Sequence, residues 1–165
     1  MQTQSDCWQS LMTWIIAVGV TVCTATAIAA ENDDEQQYAI ATSCTRWLDG
    51  PGGVKIKMLV EHSTLGGDEV EIGEITFPAG YKKSPRHRHG QVEIFYVRSG
   101  RLGHEVNGVK KVIESGMVGI VRPGDRVVHS VESDEPVHAL VIWTPRGEAE
   151  ALINAGIFKA RPIEE

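Results

Sequence analysis

The sequence predicts an all-β fold, an antiparallel sandwich or barrel with one short helix near its C-terminus. Three observations support this prediction: apolar and polar residues alternate over many short segments, glycine, proline or asparagine separates these segments, and a helical period occurs once. Short strands punctuated in this way are typical of antiparallel sheets, because parallel sheets need longer crossover connections. A chain of 165 residues is long enough for one domain with a hydrophobic core.

The first 30 residues differ from the rest of the chain in composition. No charged residue occurs from Leu11 to Ala30, and an acidic run follows directly. An apolar stretch that ends in small residues is typical of a secretory signal peptide, although no Lys or Arg precedes this one. About 20 apolar residues can also span a bilayer. We therefore expect residues 1–30 to be a signal peptide of an exported protein, periplasmic or secreted, or else a membrane anchor through residues 11–30.

Charge and cysteine content exclude several classes of protein. All 16 Lys and Arg and 21 of the 22 acidic residues lie after residue 30, so this region has a net charge near -5. A nucleic-acid partner is not expected, because phosphate binding needs clustered basic side chains. Cys44 is the one cysteine after residue 30, so no internal disulfide is expected there, and we interpret it as a small buried side chain.

The predicted elements begin after an acidic N-terminal arm assigned to residues 31–53. From Val54 onward apolar residues occur at every second position, which predicts a strand, and a second strand is predicted over 68–77 with a bulge at Gly73. Six more short strands are predicted over 92–98, 101–106, 109–113, 117–121, 126–131 and 137–143. Together these segments form a predicted barrel over residues 54–146.

Two local signals complete the prediction. Asn107-Gly108 is typical of a two-residue hairpin turn, since both residues tolerate positive φ. Residues 148–154 have a helical period, and Gly156 can end that helix. We expect residues 147–165, the helix and tail, to pack an apolar face against the barrel or against a second subunit.

The segment with candidate chemistry contains two histidines two residues apart. On a strand, His87 and His89 leave the same face and can reach one ion. Glu93 follows after Gly90, which permits a turn, and His129 lies on the inward face of a later predicted strand. Burying three imidazoles and a carboxylate is costly without compensation, and a metal ion provides it. These residues therefore predict a buried metal site.

The order and spacing of these residues resemble the motifs of the cupin family. The first motif is matched by Gly80, His87, His89, Glu93 and Gly100, and the second by Gly116, Pro123, Gly124 and His129. In the second motif the sequence departs from the family pattern, since His129 lies six residues after the proline and Ser133 replaces an asparagine. The resemblance covers roughly residues 54–143. It implies a double-stranded β-barrel, or jelly roll, with a divalent metal held inside by His87, His89, Glu93 and His129.

The ligand set alone does not choose the metal, since imidazole and carboxylate suit Fe, Mn, Ni, Co or Zn. By resemblance to quercetinase-like small cupins, the leading hypothesis is a dioxygenase acting on a small phenolic or enolic substrate, with Glu93 either a fixed ligand or one that detaches to take a proton. One alternative is a metal-dependent isomerase, epimerase or lyase of a sugar or small acid. Another is a non-enzymatic module that binds metal or a small ligand. The resemblance also implies a homodimer.

Several other residues receive structural assignments. Phe95 and Val97 share the parity of Glu93 and are expected in the apolar wall of the pocket, with Trp143 contributing from the last strand. Arg86 and Arg88 alternate with the two histidines and are expected outside the barrel. The remaining histidines are interpreted as surface or packing residues: His62, His104 and His138.

Overall fold

The computed structural model describes residues 44–162. The leader predicted for residues 1–30 lies outside the described residues, as does the acidic start of the arm. Strands of the described region form two antiparallel sheets that enclose a common core, which is the predicted jelly-roll barrel. No helix within residues 44–162 is long and apolar enough to cross a membrane.

The larger sheet has seven strands within the described residues, and the smaller sheet has four. The larger sheet contains, in spatial order, β11 (Lys159–Arg161), β1 (Arg46–Asp49), β2 (Lys55–Val60), β3 (Glu71–Phe77), β10 (Val137–Thr144), β5 (Val92–Ser99) and β8 (Val118–Val121). The smaller sheet contains β4 (His87–Arg88), β9 (Arg126–Val131), β6 (Leu102–Val106) and β7 (Val109–Ile113). The helices are α1 (His62–Leu65), α2 (Glu148–Asn154) and a 3-10 turn at Pro51–Gly53.

Alternation along the central strands builds the core. In β10 the residues at odd positions from Val137 to Trp143 are buried, and the residues between them are half-buried or exposed. In β5 the same parity buries Glu93 together with Phe95 and Val97. Phe95 lines the pocket as predicted, but the prediction for Val97 is wrong, because its side chain packs within the hydrophobic core instead. Burying one apolar face of each strand between the two sheets is what stabilises a barrel of this kind.

The local predictions hold for most elements. Asn107 and Gly108 have φ of 53° and 86° and connect β6 to β7, which confirms the hairpin. The predicted helix over 148–154 has those same bounds, and its apolar residues pack against the barrel core.

Two features differ from the sequence-based expectation. The larger sheet begins at Arg46, inside the segment assigned to the arm, because β1 pairs with both β2 and β11. The bulge predicted at Gly73 lies instead on the neighbouring strand, where the register between β2 and β3 shifts between Met58 and Val60. In β3, buried and half-buried side chains alternate without interruption. Glu71 is one of the buried ones, at an inward position that an apolar residue would normally fill.

Candidate metal site

The barrel interior brings together three histidines from two strands and an adjoining loop. His87 belongs to β4, His89 follows that strand directly, and His129 lies in β9, which pairs with β4. One ring nitrogen from each of the three imidazoles lies within 4.8 Å of the other two. His89 and His129 are buried and His87 is half-buried, so these three histidines could hold one metal ion.

Glu93 extends from β5 into the same space. Its Oε2 lies 3.2 Å from His89 Nε2 and 3.5 Å from His129 Nε2. The other oxygen, Oε1, accepts a hydrogen bond of 3.0 Å from the indole Nε1 of Trp143. Trp143 is therefore more than the apolar wall that the sequence analysis expected, because its N–H leaves Oε2 as the carboxylate oxygen facing the imidazoles.

Backbone contacts fix the histidine-bearing loop against β9. The His129 N–H donates to Ser84 Oγ at 2.9 Å, and the Ser84 N–H donates back to the His129 carbonyl at 2.8 Å. The Gly124 N–H donates to the His89 carbonyl at 3.1 Å. These bonds set the spacing between the His87–His89 segment and His129, and they leave the imidazole rings of all three histidines free.

Most polar atoms at the centre of the site lack a hydrogen-bond partner. Within residues 44–162, the buried side-chain atoms without one are both ring nitrogens of His89, both of His129, Glu93 Oε2 and His104 Nε2. Leaving buried polar groups unsatisfied is costly, and native proteins seldom do so without a reason. A cation bound in this cluster would satisfy Oε2 and one nitrogen each of His89 and His129, so the donor set fits a divalent transition metal.

The tautomer of His87 is set by a backbone contact. Its Nδ1 lies 2.8 Å from the carbonyl oxygen of Pro85. Because that oxygen can only accept, Nδ1 carries the proton and Nε2 has the free lone pair that a metal needs.

Burial and neighbouring charges shift the pKa values of several groups in the site. Burial by itself raises the pKa of Glu93, but the nearby imidazoles of His129 and His89 outweigh it and hold the pKa well below its usual range. Burial lowers the pKa of His89, but the carboxylates of Glu148 and Glu93 outweigh this effect and raise that pKa to about 10. Without metal, the site therefore holds an ionised Glu93 beside a protonated His89.

Two buried neighbours of the site were not predicted as part of it. His104, predicted to be a surface or packing residue, is buried, and its ring stacks on His129 with centroids 5.4 Å apart. Burial, with the charge of His129 next, lowers the pKa of His104 to about 4, so its ring is neutral. Glu148, the first residue of α2, places Oε1 2.7 Å from His89 Nδ1. No sequence signal marks Glu148, because its contact with His89 arises only when the helix docks.

A pocket of about 600 Å³, including its mouth, opens directly over the imidazoles. Aromatic and aliphatic side chains form most of its wall. These side chains are Val54, Phe77, Tyr81, Phe95, Trp143, Leu152, Ile157 and Phe158, with Pro51 and Pro85 beside them. The arginines that alternate with the ligands, Arg86 and Arg88, are exposed outside the barrel as predicted, and no Lys or Arg of the described residues lines the pocket.

Comparison with known proteins agrees with this architecture. The cupin domain model matches residues 73–143, a segment that contains all four predicted ligands. No curated protein matches the sequence.

Solved structures with the same fold include an RmlC-like cupin from Shewanella frigidimarina, 24% identical with a TM-score of 0.53, covering 64% of this chain and 88% of that one. A predicted oxalate decarboxylase from Thermotoga maritima is 18% identical with a TM-score of 0.55, covering 64% and 96%. KdgF from Halomonas sp. is 18% identical with a TM-score of 0.50, covering 61% and 86%. The described barrel therefore has the cupin fold, and residues 73–143 within it match the cupin domain.

Proposed function

We propose that the protein is a metal-dependent cupin oxidoreductase, a dioxygenase that acts on a small phenolic or enolic substrate. The metal ligands in this proposal are His87, His89, Glu93 and His129. The observation that supports it best is the pocket, whose walls are aromatic and aliphatic directly over the three imidazoles. A flat, weakly polar substrate fits such walls, and its hydroxyl would be the group that reaches the ligand cluster.

The same pocket disfavours the alternative substrates. A sugar acid or a dicarboxylate needs cationic or multiple hydrogen-bonding groups in the wall to replace its hydration. No Lys or Arg among residues 44–162 lines this pocket. An isomerase, epimerase or lyase of such compounds is therefore less consistent with the site than a reaction on an apolar ring.

The chain's own residues have distinct roles in this proposal. Phe77 and Phe95 pack against the substrate ring and exclude water, while Leu152 and Phe158 close the pocket from the C-terminal side. Glu93 Oε2 has no hydrogen-bond partner among the described residues, and it would either remain a metal ligand or detach to accept the proton of a substrate hydroxyl. A redox-active metal at the site would supply Lewis-acid polarisation of the substrate oxygen and a route for electrons to dioxygen.

The test is oxygen consumption by the purified full chain loaded separately with Fe, Mn, Ni, Co or Zn. We expect uptake with a catechol or flavonol and a redox-active metal, and none with oxalate or a uronic acid. The double variant His87→Ala with His89→Ala should lose most bound metal by elemental analysis while keeping a β-rich circular dichroism spectrum. Tight binding of the phenolic compound without turnover would support a binding module instead, and turnover of a sugar acid without oxygen would support the isomerase or lyase.

Two further proposals concern the whole chain. From the leader sequence, we propose export through a cleaved signal peptide. From the edge of β8, we propose a homodimer. β8 pairs only with β5 among the described strands, and its Val118 and Ile120 are about half exposed.

The other sheet edges of the described region are protected by charge. β11 contains Lys159 and Arg161, β7 contains two lysines, and β4 is two residues long with Arg88. β8 has no charged residue, and an exposed uncharged edge is prone to pair with another strand. A second copy supplies an identical edge, and antiparallel pairing about a two-fold axis would satisfy the backbone groups of both copies.

A further inference from the structure

The C-terminal helix contributes a carboxylate to the metal site that lies outside the segment matching the cupin domain. Glu148 is 5% exposed, and its Oε1 lies 2.7 Å from Nδ1 of His89. A buried carboxylate needs a compensating partner. Within residues 44–162, the one ion pair of Glu148 is with His89.

The position of Glu148 is fixed by how α2 docks. The N–H of Ala149 donates to Oε2 of Glu71 at 3.1 Å, and Glu71 is itself only 1% exposed. Further along this segment, Leu152 and Phe158 pack against the barrel core. The hydrogen bond to Glu71 therefore holds the first turn of the helix at the barrel wall, and the apolar contacts hold the residues that follow it. Glu148 has little freedom to turn away from His89.

This contact determines which nitrogen of His89 is available to a metal. A carboxylate beside Nδ1 favours a proton on that nitrogen, so Nε2 is the nitrogen that would give up its proton to bind a metal. His89 Nε2 is the nitrogen that lies 3.2 Å from Glu93 Oε2, at the centre of the cluster. His87 has the equivalent arrangement with a backbone carbonyl in place of the carboxylate.

We infer that Glu148 is a positioning residue for the metal site, orienting His89 and raising its strength as a ligand. The inference rests on the proposed metal site but not on the proposed reaction. It makes the C-terminal segment part of the metal centre, since the cupin match ends at residue 143 and Glu148 lies beyond it.

The experiment is a competition titration of the full chain with Co(II) and a chromophoric chelator, together with the visible spectrum of bound Co(II). We expect Glu148→Ala to bind Co(II) roughly 10–100-fold more weakly, the usual effect of losing an outer-shell partner. Glu148→Gln, which keeps an acceptor oxygen without the charge, should fall between Glu148→Ala and wild type. Its cobalt spectrum should resemble wild type more closely than that of Glu148→Ala.

The matched control is Glu150→Ala on the same helix, because the exposed carboxylate of Glu150 pairs with Arg46 at the surface. It should bind Co(II) as wild type does. Wild-type affinity and spectrum in both Glu148 variants would overturn the inference and leave the metal site intact. Failure of the wild-type chain to bind Co(II) would overturn the proposed site itself, and this inference with it. If Glu148→Ala does not fold, the isosteric Glu148→Gln decides the question.

Discussion

Trp143 connects the hydrophobic core of the barrel to the carboxylate of Glu93. Both residues are almost fully buried, and the indole N–H donates the hydrogen bond that orients the carboxylate. Trp143→Phe removes this donor and keeps most of the apolar volume. We expect the free energy of unfolding of the metal-free chain to fall by about 1.5–3 kcal/mol, the range for a hydrogen bond to a charged group.

Urea unfolding followed by circular dichroism measures this change. Trp47→Phe is the control, because Trp47 is only partly buried and the Arg161 guanidinium lies over its ring, 5.8 Å from the centroid. That substitution should cost less than about 1 kcal/mol. Equal losses in the two variants would show that the bond to Glu93 does not contribute as described.

The site histidines predict a stability maximum for the metal-free protein near pH 6.5, their ordinary unfolded pKa. Burial lowers the pKa of His104 to about 4 and also lowers that of His87, so the unfolded chain binds more protons below pH 6.5 and stability falls as the solution is acidified. The pKa of His89 is raised to about 10, so the folded chain binds more protons above pH 6.5, and this contribution is lost as pH rises from 6.5 to 10.

Denaturant unfolding of the chelator-treated chain at pH 4.5, 6.5 and 9 tests this profile, with losses expected on the order of 1 kcal/mol or more on each side. Glu93 adds to the acid limb, since its lowered pKa gives stability that is present above its unfolded value and lost below it. His104→Phe should reduce the loss of stability between pH 6.5 and 4.5 and leave the loss between pH 6.5 and 9 unchanged. A profile that rises steadily to pH 9 would contradict the pairing of His89 with Glu148 and Glu93.

At the scale of elements, the β6–β7 hairpin depends on two residues with positive φ. Gly108 has φ of 86°, where an added Cβ meets no atom within 4 Å, so the cost of a side chain there is backbone strain alone. Gly108→Ala should destabilise the protein by roughly 1–2 kcal/mol. Gly90→Ala, also in open space but without positive φ, should be neutral or slightly stabilising. Thermal unfolding of the two variants separates backbone strain from the effect of adding a methyl group. Equal unfolding midpoints would contradict the role given to the positive φ of Gly108.

Elements with strong local signals could be predicted from the sequence, and those formed by distant partners could not. Alternation of apolar and charged residues marked the start of β2, and helical spacing with a following glycine marked α2. β1 and β11 are short and lack alternation. They form strands because they pair with each other, although more than 100 residues separate them in the sequence.

The same physical distinction applies to the candidate site. The parity of His87, His89 and His129 is a local property, so the sequence was enough to predict that these side chains share one interior. The contacts of Glu148 and His104 form only when the helix and β6 pack against the ligand strands. Residues that act on a site from a second element have no spacing rule by which to be recognised.

At the scale of the whole molecule, the leader predicts processing during export. The uncharged stretch from Leu11 to Ala30 ends in small residues, which fits cleavage near its end. Expression of the full chain in a bacterial host should give a periplasmic product whose intact mass corresponds to a start at or near Glu31. A full-length product in the membrane fraction would identify the stretch as an uncleaved anchor instead.

The edge of β8 is the surface through which the proposed homodimer would form. Ile120 is 56% exposed on a strand without charge, and pairing of two copies would bring the two β8 strands together. Ile120→Lys places like charges close to each other across that two-fold axis, which disfavours pairing. Light scattering after size exclusion should show a dimer for wild type and a monomer for the variant.

The control makes the same chemical change on another edge. Val109 is 61% exposed on β7, an edge that already contains Lys110 and Lys111, so Val109→Lys should leave the dimer intact. Because both substituted side chains point to solvent in the single chain, neither variant should lose its fold or its bound metal. A dimer that survives Ile120→Lys and dissociates in Val109→Lys would place the interface on the smaller sheet, and a monomeric wild type would contradict the homodimer itself.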